Sequence, residues 1–179
     1  MRRRPFFFRL CALVGLIALT ACQPPEAAAA KAPSALPGLI TERLSLARQV
    51  AWSKFQSGEP VHDPEREFDL VTQLIRQGNA VGLDSLAIKT FFEAQLAASR
   101  EVQTELLAAW SAETAPKPTT PPLDLAADLN PRLDALTPSL LEGIFDTPDI
   151  AIAETTARAL AADGFSAAVI ELATAPLRP

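Results

Sequence analysis

Two helix stops, each followed by a helix start, lie between Ser57 and Ser85, and they leave little choice in what this chain can fold into. Gly58 is a residue that can turn left-handed after a helix, and Pro60 cannot continue one. Asp63-Pro64 is an N-cap followed by a proline at the first helical position, with Glu65 in the first turn. Gly82-Leu83-Asp84-Ser85 closes that helix and caps another. The spacing predicts a first helix from about Pro37 to Ser57, a second from Pro64, and a third from Ser85 to about Trp110. Ala and Leu dominate, Tyr is absent, and there is neither an alternating strand run nor an internal repeat. The fold class is all-α.

Residues 111–122 form a Pro-rich loop. Beyond it, Asn130-Pro131 and Thr137-Pro138 both read as a cap followed by proline, so residues 123–179 are expected to break into short helices. Two more are expected near 147–163 and 165–174, separated by Gly164. The expected architecture is a bundle of about six helices with one long N-terminal helix, spanning residues 37–179, with residues 37–110 as its core.

The N-terminus reads differently. Arg2, Arg3, Arg4 and Arg9 precede an apolar run from Leu10 to Ala21 that is too short to span a bilayer, which needs about 20 residues. Residues 1–22 are therefore expected to be an export signal. Leu19-Thr20-Ala21-Cys22 resembles a bacterial lipobox, with Cys22 as the lipidated residue and 23–36 as a Pro- and Ala-rich tether. The alternative is cleavage nearby, within Ala27–Ala30. The lipobox implies a chain on the periplasmic side held to the membrane by its lipid, and Gln23 after the cysteine favours the outer membrane. The mature domain would hold no thiol, and His62 is the single histidine, which argues against a zinc centre or a His-based triad. Loss of the four signal arginines leaves 12 cations against 21 carboxylates, a poor nucleic-acid binder.

Against that acidic background, the first helix raises a problem. At about 100° per residue, Val50, Ala47, Leu46 and Lys54 all fall within about 60° of Arg43, so two cations sit inside the apolar stripe. The third helix does likewise: Gln95, Ser99 and Gln103 interrupt a row formed by Phe92, Leu106 and Trp110. Asp63, Arg66 and Glu67 share one face at the start of the second helix. Each group alone has an ordinary structural explanation. Together they place three cations inward, and buried charge needs partners. A small dianion bracketed by Arg43 and Lys54 would supply them.

The segment ERLSLARQVAWSKFQSGEPVHDPERE, then GLD, then FFEAQLAASREVQ resembles the secreted, gamma class of AroQ-type chorismate mutases. The resemblance implies the rearrangement of chorismate to prephenate, with no cofactor and no metal. It implies Arg43 and Arg66 on the substrate carboxylates, Lys54 and Gln103 at the ether oxygen, Asp63 and Glu67 around the substrate hydroxyl, and Ser99 on the carboxylate side. It also implies a homodimer with each site built within one chain.

One position departs. The family usually supplies another arginine just ahead of a helix reading roughly PxLDxL. Here the segment is LNPRLDAL, so Asn130 occupies that place. Arg132 is the nearest substitute, but two helical residues along turns it about 200° away. The runner-up reading is therefore an envelope lipoprotein that binds an anionic aromatic ligand with little turnover.

Overall fold

The computed structural model describes residues 34–179; the signal, lipobox and most of the tether lie outside the described residues. Six α-helices form the fold: α1 (Leu36–Ser57), α2 (Pro64–Ala80), α3 (Ser85–Ser111), α4 (Asn130–Ile144), α5 (Ile150–Ala162) and α6 (Ala167–Thr174). A π-helical turn, Leu125–Leu129, leads into α4, and a 3₁₀ turn, Ala175–Leu177, follows α6. No strand occurs among the described residues.

The breakers act as their chemistry requires. Gly58 takes φ 76°, and its N–H donates to the Lys54 carbonyl at 2.8 Å, closing α1 one residue after Ser57. The Asp63 side chain accepts from the Arg66 N–H at 3.1 Å, and that of Asp84 accepts from Leu86 and Ala87 at 2.9 Å each.

α1 is the central element and packs against α3, α4 and α5. Leu36, Ile40, Leu44 and Ala47 are essentially solvent-free along it and share one hydrophobic cluster with Ile88, Phe91 and Phe92 of α3. Arg48 donates to the Asp163 carbonyl at 2.7 Å and lies over the Phe165 ring, tying α1 to the α5–α6 turn. Gln95, one of the polar groups in the α3 stripe, donates to the Ala173 carbonyl at 3.0 Å and so pins α3 to α6.

Three expectations need correction. Thr137-Pro138 does not start a helix: Pro138 lies inside α4. Leu136, Leu140 and Ile144 are buried at four-residue spacing across it, and that burial outweighs the proline penalty of about 3 kcal/mol. Nor is Asn130 a cap. Asp124 caps the run instead, accepting from the Ala127 N–H, and the π turn carries the chain into α4 without a break. The last concerns Phe68: spacing alone groups it with Val71, Leu74, Ile75 and Gly78 on the inward stripe of α2, but it is 71% exposed. α2 buries Val71, Leu74 and Gly78, and Phe68 falls about 90° from the centre of that narrow stripe. Gly78 lets α2 approach α3 closely, because a Cβ there would force the tip of the Ile88 side chain to move.

Candidate active site

α1, α2, α3 and α4 enclose a cavity of about 200 Å³, closed at one end by the loop after α1. Arg43, Lys54, Asp63, Arg66, Glu67, Ser99 and Gln103 all line it. The helical phases that put polar groups into apolar stripes therefore converge on one space.

Arg43 is the deepest cation, 6% exposed. Burial pushes its guanidinium down to about 10, partly offset by the carboxylate of Asp134 across the cavity. Its Nε is buried with no hydrogen-bond partner. Such an orphaned charged donor in a native fold points to a missing partner. Lys54, half-buried one turn from the end of α1, donates from Nζ to the Val61 carbonyl at 3.0 Å. That leaves two of its three protons free for a ligand. Burial lowers its pKa, as does the neighbouring Arg66; Glu59, Asp63 and Glu67 pull the other way.

Gln103 donates from Nε2 to the Ser99 carbonyl at 3.1 Å and to Ser99 Oγ at 3.2 Å, while its Oε1 is buried and unpartnered. Asp63 and Arg66 sit at the exposed rim, so two cations lie inward rather than the three expected, with Arg66 at the mouth. The start of α2 is open to solvent because the helix packs chiefly on α3.

The second half of the chain adds Leu125, Asn130, Leu133, Asp134 and Thr137 to the wall. Arg132 is exposed and does not line the cavity, so its inclusion among candidate binding residues is corrected. α4 is regular from Asn130 onward, and the helical phase carries Arg132 outward as its spacing dictates.

Among the wall residues that the sequence reading did not name, two form ion pairs or face a buried cation. Arg100 of α3 pairs with Glu67, and Asp134 faces Arg43. For Asp134 the signal was the buried cation itself, which required a counter-charge without saying where in the chain it lay. Arg100 stands about 100° from the Ser99 stripe, so helical phase alone does not place it inward.

A family model described as chorismate mutase type II matches residues 34–104. A secreted chorismate mutase of Yersinia pestis is 30% identical over 106 residues, covering 59% of this chain and 55% of that protein, so the match spans about half its length. A secreted chorismate mutase of Mycolicibacterium smegmatis is 28% identical over 137 residues, covering 75% of each. The crystal structure of a chorismate mutase from Burkholderia thailandensis superposes with a TM-score of 0.70 at 32% identity, covering 80% of this chain and 97% of that one. The chain belongs to the chorismate mutase family.

The family model ends at residue 104, just past Gln103. It therefore takes in the α1–α3 side of the cavity and leaves the α4 wall outside. In this chorismate mutase family member, the α4 wall is where Asn130 takes the place of the arginine that the resemblance led us to expect.

Proposed function

We propose that the protein is a chorismate mutase, converting chorismate to prephenate on the exported side of the cell membrane. The observation that carries this reading is the convergence of Arg43 and Lys54, two cations from the core side of one helix, on a cavity that they share with Gln103. In the proposed reaction the ether C–O bond breaks as a C–C bond forms within one molecule. No proton moves and no group is transferred, so the protein's task is positioning and electrostatics.

Arg43, deep and fork-shaped, receives one carboxylate and relieves its own unpartnered Nε. Arg66 at the mouth receives the other. Lys54 donates to the ether oxygen as negative charge develops there. Gln103 shares that role once its carboxamide turns over about its last, soft torsion, giving Nε2 to the ether oxygen and Oε1 to the Ser99 hydroxyl. Glu67 and Asp63 accept from the substrate hydroxyl.

The names of the relatives favour export, and the basic N-terminus followed by a short apolar run favours it independently. Lipid attachment at Cys22 and an outer-membrane destination extend that reading. A homodimer is compatible with a cavity walled entirely by one chain, and sedimentation of the purified protein tests it.

The test of activity is loss of chorismate absorbance with matching appearance of prephenate when purified protein is added. Stoichiometric protection of the fold by a transition-state analogue, without turnover, would favour the runner-up reading, an anion-binding protein. Asn130, which lines the cavity where the resemblance implies a further arginine, is the observation on that side.

A further inference from the structure

Glu67 is gripped from behind by a residue that neither spacing nor resemblance singled out. Arg100 Nη1 donates to Glu67 Oε2, and His62 Nε2 stands 3.8 Å from the same oxygen. The pair is partly enclosed, with the Arg100 side chain 31% and the Glu67 side chain 22% exposed. Glu67, Arg100 and Leu96 line the cavity on one side and, on the other, an outer groove along the α2–α3 seam walled by Phe68, Val71 and Ile75. The ion pair is thus part of the partition between the two spaces. Oε2 is taken up by Arg100, while Oε1 has no partner among the described residues.

We propose that Arg100 is a positioning residue: it fixes the Glu67 carboxylate through Oε2 so that Oε1 is presented to the cavity as the acceptor for the substrate hydroxyl. This rests on the chorismate mutase reading. The physical need is clear from the other cations. Lys54 and Arg66 line the same cavity, and Lys54 already lies within the field of Glu67. A Glu67 free to swing would be drawn onto Lys54 and would screen the charge meant for the ether oxygen. Arg100, bonded to Oε2, holds it to α3 instead. A charge-assisted pair from a guanidinium, whose donors are held in a rigid plane, suits that task better than a neutral donor.

The experiment compares steady-state kinetics and thermal melts of wild type, Arg100→Gln, Arg100→Lys, Glu67→Gln and the double variant Arg100→Gln/Glu67→Gln. Arg100→Gln should raise KM roughly tenfold, with a smaller change in kcat, because the hydroxyl contact exists in ground and transition states alike. Arg100→Lys should recover most of that loss. The double variant should be no worse than Glu67→Gln alone, because Arg100 acts only through that carboxylate. A double variant showing the product of the two single losses would mean that Arg100 touches substrate itself, and overturns the proposal. So does an Arg100→Gln variant with a lowered melting temperature and an unmoved KM, which marks a merely structural pair. A wild type without turnover overturns the functional reading and this proposal with it; an active wild type with an indifferent Arg100→Gln overturns this proposal alone.

Discussion

Arg43 and Lys54 face one cavity from one helix, yet their removal should affect the fold in different ways. Arg43 is desolvated and incompletely bonded, and Asp134 opposite it is exposed enough to be hydrated when left alone. Replacing a poorly compensated buried ion by an apolar side chain of similar length often stabilises a protein, by about 1–4 kcal/mol. Arg43→Met should therefore leave the melting temperature unchanged or raised, while KM for chorismate rises by roughly a hundredfold, as loss of a buried charge-assisted contact implies. A calorimetric scan beside a kinetic assay checks both halves. A lower melting temperature would show that Asp134 compensates Arg43 fully in the empty site. Asn130 allows the converse test. Asn130→Arg adds a cation in the cavity wall to a carboxylate otherwise met only by Arg66 at the exposed mouth, and such a bond contributes about 1.5–3 kcal/mol. KM should fall several-fold or more with little change in kcat. Arg132→Ala should change neither, since Arg132 is exposed and outside the cavity wall.

At the scale of helices, legibility followed the strength of local signals. Gly58, Asp63-Pro64 and Asp84 act within a few residues of themselves, so the ends of α1, α2 and α3 could be read directly. The same period carried the phases that put Arg43, Lys54, Ser99 and Gln103 on inward faces. What failed depended on distant partners. Thr137-Pro138 carried the local mark of a helix start, but the buried stripe at Leu136, Leu140 and Ile144 draws α4 straight through it. Phe68 looked inward until the narrow contact of α2 with α3 fixed which stripe was buried. Arg100 and Asp134 join the site only through packing of separate helices, which no spacing rule reveals. Because Pro138 removes a backbone donor from the helix interior, Pro138→Ala should stabilise the protein by about 1–2 kcal/mol, less than the full proline penalty because the unfolded chain also gains freedom. Denaturant unfolding measures it; destabilisation would mean that α4 depends on the proline for its curvature.

For the molecule as a whole, the sequence signals divide into a segment that bears on export and one that builds the cavity. The described residues hold the cavity wall drawn from α1 to α4, and the features that bear on export lie before them. Cys22→Ala should therefore move the protein from the detergent phase to the aqueous phase while kcat and KM stay the same, whereas Cys11→Ala should leave partitioning unchanged. Aqueous partitioning of the wild type would remove the lipid anchor from the account and leave the site untouched. The account's central claim is that the polar groups on the inner faces of α1 and α3 are there for a substrate. Lys54 tests it best, because its ammonium is half-buried, is tied to the fold by one bond to Val61, and is assigned to the atom where charge develops. The decisive measurement is kcat/KM of Lys54→Ala for chorismate, with helicity followed by circular dichroism. A fall of roughly 10²–10³, or about 3–4 kcal/mol of transition-state stabilisation, is predicted, with helicity nearly intact. Turnover equal to wild type would contradict the account, because the cation would then face inward for some reason other than the substrate.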